Sequence, residues 1–399
     1  MGHEIPPSYA VMRAGMRAEL EALTQAGLLR TRPVIDSPDD RSIILHLDGK
    51  RQKLINWASN DYLGAANLRR VKNGASRALR SFGAGSGAAR LLAGGLRCHR
   101  RLEERLAHWL GSEDVLVTSS GYQANLAALV AFAGSEQDVI ILDRLCHASL
   151  YDGARLANGQ LLRFAHNDVA DLEKQLQRSE GAPRRLVCVE SVYSMDGDEA
   201  PLLAIRDLCQ RHGALLLVDE AHALGVLGPG GRGLCAELGL TPDIRIGTCS
   251  KSLGSQGGFI AADRDLIALA VNRGRSFIFS TAPAPAVIGA ALASLDLLRD
   301  KPELSERLLT VAAELRSALR AQGWNVPEGR SPIVPVILGD ESATLALAAR
   351  LREAGHYAPA IRPPTVPVGV CRLRLTATLA HKPSDRKRLI ALMAKWKPG

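Results

Sequence analysis

The stretch Ala214-Leu215-Leu216-Leu217-Val218-Asp219-Glu220-Ala221-His222 joins five apolar residues to two carboxylates and a histidine. A short, continuously apolar run is typical of a strand that is buried on both faces of a sheet. Sheets built from such strands bind ligands in the crevice outside the carboxyl ends of the strands. The stretch therefore predicts a buried parallel strand that presents Asp219 to a ligand.

Similar apolar runs alternate with segments of helical period through about the first 280 residues. The predicted strands are 115–118, 139–142, 186–190, 214–219, 244–247 and 258–261. The predicted helices are 101–110, 122–132, 169–177 and 202–211. This alternation predicts the α/β class, with a mostly parallel sheet covered by helices on both faces.

The pattern changes after about Pro283. Two strand candidates follow, 333–338 and 371–376, and a proline-rich turn at 362–367 precedes the second. Helices are predicted over 284–298, 302–322 and 343–354, and one more at the end of the chain. This region predicts a smaller α+β domain.

The composition excludes several classes of protein. Apolar residues make up 46% and charged residues 23% of 399 residues, as in ordinary globular proteins. There is no run of about 18 apolar residues and no apolar signal segment near Met1, so we predict a cytoplasmic protein without membrane spans. The seven cysteines form no Cys-x-x-Cys pair, so we expect neither a disulfide framework nor a metal site.

The net charge of +9 comes from lysines and arginines that are spread along the chain. Aromatic residues make up only 4%, too few for a platform that stacks bases. An anionic small substrate or cofactor is therefore a more economical partner than nucleic acid.

The segment Thr248-Cys249-Ser250-Lys251-Ser252-Leu253-Gly254 follows one of the predicted strands. Small residues and glycines around a lysine allow another group to approach it closely. An amine that is partly shielded from water has a lowered pKa and can form a Schiff base with an aldehyde. A solvated loop lysine is the alternative that this segment alone leaves open.

Asp219 and His222 favour the first interpretation of Lys251. Pyridoxal chemistry needs a carboxylate that keeps the ring nitrogen protonated, and a histidine three residues later can reach the ring hydroxyl. A capping aspartate and a core histidine are the structural alternative.

Two more strands end in polar residues. Ser119-Ser120-Gly121-Tyr122 opens an apolar helix, where free N–H groups and the helix dipole suit a phosphate, although a plain serine cap is common. Asp143-Arg144-Leu145-Cys146-His147 places an imidazole where it could lie on a cofactor ring.

The run 228–233 matches G-x-G-x-x-G, but it lies too far from its strand and contains Pro229, so we interpret it as a loop.

These residues resemble the α-oxoamine synthases, a family of fold-type I pyridoxal-phosphate enzymes, over nearly the whole chain. The shared motifs are 59–64, 85–90, 99–103, 120–122, 143–149, 194–197, 219–222 and 247–251. The segments 360–367 and 372–375 resemble the members that condense L-alanine with a pimeloyl thioester in biotin synthesis. The cofactor motifs leave open a glycine C-acetyltransferase, a 5-aminolevulinate synthase or a serine-using relative.

The resemblance implies a role for each matching residue. Lys251 would hold pyridoxal 5'-phosphate and carry protons, Asp219 would pair with the ring nitrogen and His222 with the ring oxygen, and His147 would stack on the ring. Further cofactor contacts are implied for Ser120, Gly121, Tyr122, Ser194, Thr248, Ser280 and Thr281. Substrate contacts are implied for Arg30, Asn60, His147, Thr365 and Arg374.

The resemblance also implies the architecture and the partners. It predicts a mostly parallel seven-stranded sheet in a large domain over 53–285, an N-terminal arm over 1–52 and a small α+β domain over 286–399. It further implies a homodimer with shared active sites, in which Ser280 and Thr281 reach the partner's cofactor phosphate. The acyl donor would be carried on coenzyme A or on an acyl carrier protein.

Overall fold

The fold is taken from a computed structural model that describes residues 7–25, 28–30, 32–37, 39–47 and 49–397. The helices are α1 Pro7–Gln25, α2 Arg69–Phe82, α3 Arg97–Leu110, α4 Gly121–Phe132, α5 Ala148–Leu156, α6 Val169–Arg178, α7 Leu202–Arg211, α8 Leu234–Glu237, α9 Arg264–Arg273, α10 Arg275–Ile278, α11 Pro285–Asp300, α12 Glu303–Ala321, α13 Glu341–Glu353 and α14 Pro383–Trp396. The strands are β1 Val34–Asp36, β2 Ser42–Leu47, β3 Lys50–Asn56, β4 Asp114–Thr118, β5 Val139–Asp143, β6 Gln160–Phe164, β7 Arg185–Glu190, β8 Leu215–Asp219, β9 Ile244–Thr248, β10 Gly258–Ala262, β11 Ile333–Gly339, β12 His356–Tyr357, β13 Ala360–Ile361 and β14 Cys371–Thr376.

The central sheet has seven strands in the order β4-β10-β9-β8-β7-β5-β6. Only β10 runs against its neighbours, β9 and β4, so the carboxyl ends of the other six strands meet at one edge. The predicted α/β class and mostly parallel seven-stranded sheet are confirmed. Our strand pattern missed β6, because this edge strand is only partly buried and is not continuously apolar.

The apolar character of the central strands follows from burial on both faces of the sheet. Successive side chains point to opposite faces of a strand. On β8, Leu216 and Val218 join the apolar cluster of one face, whereas Leu217 joins that of the other. Because both faces are covered, the strand carries no polar residue before Asp219.

Two smaller sheets complete the fold. The strands β11, β14 and β13 pair antiparallel, and α12, α13 and α14 pack on them around a third apolar cluster. The other sheet has the order β1-β2-β3-β12, in which β3 pairs parallel with β12. This pairing ties the beginning of the chain to its C-terminal region.

The domain division that we predict, 1–52, 53–285 and 286–399, stays a prediction, and its boundaries fall inside β3 and α11. Of these ranges, residues 1–6, 26–27, 31, 38, 48 and 398–399 lie outside the described part of the chain.

No described helix is both long and apolar enough to cross a bilayer. Among the same residues, no group of three or more histidine, cysteine or acidic side chains is arranged to hold a metal ion. All seven cysteines are buried and free.

Candidate active site

Polar side chains gather at the carboxyl edge of the central sheet. Thr118, Asp143, Glu190, Asp219 and Thr248 are the last residues of β4, β5, β7, β8 and β9. The chain continues from these strand ends into the loops that carry the other predicted site residues. A shared edge therefore brings together residues that lie more than a hundred positions apart in the sequence.

Asp219 is buried and held by two hydrogen bonds. The Ala221 N–H donates to Oδ1 over 2.9 Å, and Asn125 Nδ2 donates to Oδ2 over 2.8 Å. Asn125 Nδ2 also lies 2.9 Å from Ser149 Oγ, which links α4 to the start of α5. The carboxylate is thus fixed in orientation before any ligand arrives.

The sequence interpretation missed Asn125. It is a buried polar side chain in α4, and its Oδ1 has no hydrogen-bond partner among the described residues. A single asparagine near the start of the otherwise apolar run 124–132 was the available signal. A polar side chain is rarely buried in such a helix unless a neighbouring element supplies a hydrogen-bond partner for it.

Lys251 lies in the loop after β9 and is half-buried. Desolvation lowers the pKa of its amine, Asp219 and the ionised form of Glu190 oppose this shift, and the charge of Arg374 reinforces it. The amine is therefore closer to its neutral, nucleophilic form than a surface lysine.

His222 is buried, and its Nδ1 lies 2.6 Å from Tyr62 Oη. Burial lowers the pKa of His222 well below its usual value, and the nearby charges of Lys251 and Arg374 lower it further. Burial raises the pKa of Tyr62 to about 12. Both rings are therefore neutral near pH 7 and form an uncharged hydrogen-bonded pair.

His147 is exposed at the mouth of the site and immediately precedes α5. Its Nδ1 accepts a hydrogen bond from the Ser149 N–H over 3.2 Å, and the Ser149 hydroxyl lies 2.8 Å away. Desolvation by surrounding protein atoms lowers the pKa of His147; Asp219 opposes this shift and Lys251 reinforces it. The Tyr122 ring stands edge-on, 6.2 Å from the imidazole.

The N-terminus of α4 forms a narrow cradle with the loops beside it. Ser120 Oγ caps the helix by accepting from the Gln123 N–H over 3.1 Å. A Cβ on Gly258 would lie 2.4 Å from the Gly121 nitrogen, and one on Gly121 would lie 3.4 Å from Thr248 Cβ. Glycine thus leaves the first N–H groups of the helix open, an arrangement that suits a phosphate.

Ser280 and Thr281 lie beside this cradle within the same chain. Gln123 Nε2 donates to Ser280 Oγ over 3.0 Å, and Ser119 Oγ donates to the Thr281 carbonyl over 3.2 Å. Thr281 also forms an isolated antiparallel bridge with Ala89. The role that we predict for both residues across a dimer interface stays a prediction.

Arg374 on β14 is buried and faces the same edge of the sheet. Its Nε donates to the Ser194 carbonyl over 2.6 Å, and Nη2 donates to Asn60 Oδ1 over 3.2 Å. A third donor, Nη1, reaches Thr376 Oγ1 over 3.2 Å. Three of its five N–H groups therefore donate to these acceptors, and the guanidinium also interacts with the Tyr62 hydroxyl, so a carboxylate would share the other donors with that hydroxyl.

Two predicted substrate residues are not brought into this cluster by any contact among the described residues. Arg30 is exposed in the short segment 28–30. Thr365 is exposed in a turn, where its N–H donates to the Arg362 carbonyl over 3.0 Å. Their predicted contacts with the acyl thioester stay predictions.

Glu190 is a second site residue that the sequence interpretation passed over. It is buried, and it lies opposite Asp219 in the register of the paired strands β7 and β8. Its Oε1 has no hydrogen-bond partner among the described residues. Burial first, and the negative charge of Asp219 second, raise its pKa to about 8. The site thus holds two neighbouring carboxyl groups, and at neutral pH this one is largely protonated.

Comparison with known proteins gives one matching family model, several related enzymes and several similar solved structures. Residues 52–392 match the model of the aminotransferase class I and II family. The chain is 45% identical over 379 residues to the 8-amino-7-oxononanoate synthase of Anaeromyxobacter dehalogenans strain 2CP-1, covering 94% of both chains. It is 43% identical over 390 residues to the enzyme of the same name from Geobacter sulfurreducens, covering 96% of this chain and 98% of that one. A solved serine palmitoyltransferase variant from S. paucimobilis, with a bound PLP–myriocin aldimine, superposes with a TM-score of 0.89 at 33% identity and 96% coverage of both chains.

Proposed function

This chain belongs to the aminotransferase class I and II family, and we propose that it is an 8-amino-7-oxononanoate synthase that uses pyridoxal phosphate. In this reaction the Cα of L-alanine forms a bond to the acyl carbon of a pimeloyl thioester, and the thiol and carbon dioxide leave. The observation that carries the proposal is the amine of Lys251 beside Asp219 at the edge of a parallel sheet, in a chain that matches such synthases over nearly its whole length.

The residues present fit the cofactor. Lys251 offers an amine of lowered pKa for the aldehyde, and Asp219 offers a fixed carboxylate for the ring nitrogen. The N-terminus of α4, with Ser120 and Thr248, offers an anion site, and a Cβ at Gly258 would collide with the Gly121 backbone there. When bound, pyridoxal phosphate supplies an electron-withdrawing ring that stabilises the electron pair left on Cα.

We assign the proton transfers to Lys251. The Nζ of Lys251 could accept the Cα proton of the amino acid, because its lowered pKa lies nearer to neutral pH. His222, kept neutral by burial, can hydrogen-bond the ring oxygen while Tyr62 holds its other nitrogen. His147 can cover the open face of the ring, and Tyr122 and Ser194 border it.

We assign recognition of the alanine carboxylate to Arg374. The remaining N–H groups of Arg374 can bind the alanine carboxylate as a fork, and Asn60 orients them. Arg30 and Thr365 are proposed to contact the acyl thioester. Release of carbon dioxide requires this carboxylate to leave the fork after the new carbon–carbon bond has formed.

We propose that the protein is a cytoplasmic homodimer with shared sites. Leu92 and Phe279 are 78% and 71% exposed, and they flank the bridge between Ala89 and Thr281 beside the α4 cradle. Two large apolar side chains next to a ligand site support a covering partner. The net charge of +9 suits coenzyme A and an acidic acyl carrier protein equally, so both remain proposed donors.

Two experiments test the function. The first measures turnover of alanine, glycine and serine, each with pimeloyl, acetyl, succinyl and palmitoyl thioesters. We expect alanine with the pimeloyl thioester to give the highest kcat/KM, whereas a preference for glycine or serine would contradict the assignment. The second compares Lys251→Ala with the exposed control Lys174→Ala. Only the first variant should lose both turnover and the visible, borohydride-sensitive absorbance of the bound cofactor.

A further inference from the structure

Two arginines on β14 contact the same loop beside the central sheet. Side chains alternate along a strand, so Arg372 and Arg374 share one face, whereas Leu373 and Leu375 lie on the other face in the C-terminal apolar cluster. Both arginines are buried. Their common target is the loop 194–197, which follows β7 and carries Ser194.

The two guanidinium groups hold successive residues of this loop. Arg374 Nε donates to the Ser194 carbonyl over 2.6 Å. Arg372 Nη1 donates to the Met195 carbonyl over 3.5 Å and forms an ion pair with the carboxylate of Asp196. Arg372 is oriented in turn by its Nε, which donates to the Val370 carbonyl over 3.1 Å.

The far end of the loop is held differently. Gly197 adopts a φ of +71°, and a Cβ there would lie 2.6 Å from Ser331 Oγ. Ser331 Oγ also donates to the Gly197 carbonyl over 2.7 Å. The Gly197 N–H also donates to the Tyr193 carbonyl over 2.8 Å, so backbone contacts hold both ends of the loop, and the charges of Arg372 and Asp196 hold the residues between them.

We propose that the Asp196–Arg372 ion pair positions Arg374 for the amino-acid carboxylate. It does so by keeping the Ser194 carbonyl where Arg374 Nε needs an acceptor. This inference rests on the proposed function, because it deepens the role assigned to Arg374. Arg372 and Asp196 are positioning residues, since they act through Arg374 and not on the substrate.

The physical reason is the geometry of a fork. A guanidinium grips a carboxylate by two parallel N–H bonds only when its plane is correctly oriented. Arg374 Nε donates its hydrogen bond to the Ser194 carbonyl, and this bond sets the rotation of the guanidinium plane about the end of the side chain. If the loop shifts, the plane turns with it and the fork loses one of its two bonds.

The test measures equilibrium binding of L-alanine to the cofactor-loaded protein without thioester, by calorimetry and by the change in visible absorbance. We expect Asp196→Asn and Arg372→Gln each to raise the Kd for alanine roughly tenfold. The double variant should bind no more weakly than the weaker single variant, because both changes break one interaction. Arg372→Lys should recover part of the affinity.

Two comparisons separate positioning from general damage. Ethylamine, which has no carboxylate, should bind the variants and the wild type equally. Glu199→Gln is the matched control, because Glu199 lies two residues beyond Gly197 and pairs with Arg330 instead. It removes a charge near the same loop, and alanine affinity should stay within twofold of the wild type.

Unchanged alanine affinity in Asp196→Asn and Arg372→Gln would overturn the proposal, as would an equal loss of ethylamine binding. If Arg372→Gln does not fold, Asp196→Asn and Arg372→Lys still decide. Failure of the proposed function appears elsewhere, as absent turnover of alanine with the pimeloyl thioester by the wild type. The binding comparison does not depend on that turnover.

Discussion

Asn125 Nδ2 donates a hydrogen bond to Asp219 Oδ2 over 2.8 Å, in a region where both residues are buried. The bond crosses from α4 to the end of β8, between residues that lie 94 positions apart. It fixes the plane of a carboxylate that has one other hydrogen-bond donor among the described residues, the Ala221 N–H. The orientation of Asp219 therefore depends on a helix that the sequence interpretation associated only with the phosphate.

We predict that Asn125→Ala lowers kcat/KM by about tenfold to a hundredfold. A hydrogen bond to a charged group contributes about 1.5–3 kcal/mol, and each 1.4 kcal/mol of barrier corresponds to about tenfold in rate. Steady-state kinetics would check this result. Asn158→Ala is a suitable control, because that exposed amide donates to the Gly134 carbonyl away from the site. An unchanged rate in Asn125→Ala would show that Asp219 needs no support from α4.

We predict that Glu190→Gln stabilises the cofactor-free protein at alkaline pH. The folded pKa of about 8 lies above the ordinary value of 4.5, so the folded state binds a proton between these values and the unfolded state does not. Stability from this group is therefore present at low pH and is lost as pH rises through about 8. Glutamine does not titrate, so the variant should exceed the wild type by more than about 1 kcal/mol above pH 8.

Urea unfolding at several pH values would check the Glu190 prediction. The advantage of the variant should shrink as pH falls towards 4.5. Glu180→Gln, an exposed residue near the end of α6, is the control and should leave the pH dependence unchanged. A variant that is less stable than the wild type at pH 9 would contradict the prediction.

We predict that the protein loses stability in acid through His356 and His381. Desolvation by burial lowers the pKa of each to about 4, from an ordinary value of 6.5. Trp57 Nε1 donates to His356 Nδ1 over 2.9 Å, and its ring stacks 3.9 Å from that of His381. Between these pH values both histidines are protonated in the unfolded chain but stay neutral in the folded protein. The free energy of unfolding therefore falls as pH drops from about 6.5 to 4, by on the order of 3 kcal/mol for each histidine.

The histidine prediction is checked by urea unfolding of the wild type and of His356→Gln at pH 7 and pH 5. The variant cannot titrate at this position, so its loss of stability between the two pH values should be smaller. His108→Gln, on an exposed part of α3, should lose as much stability as the wild type. An identical loss in His356→Gln would exclude His356 as a source of the acid sensitivity.

Most of the large sheet could be predicted because burial on both faces imposes a pattern that is local in the sequence. The runs 186–190 and 244–247 correspond closely to Arg185–Glu190 and Ile244–Thr248. The short strands β12 and β13 could not be predicted in this way. Each has only two residues and owes its conformation to pairing with β3 or β14.

The sequence by itself determined six of the seven strands of the large sheet, the polar residues at their ends and the lysine that follows β9, because hydrophobic period and small-residue spacing are local properties. Only the tertiary structure decided that Asn125 supports Asp219, that Glu190 lies beside it, and that Asp196 and Arg372 hold the loop that Arg374 needs. These contacts join residues far apart in the chain. Burial and hydrogen-bond geometry arise only once the sheet, α4 and β14 have packed together.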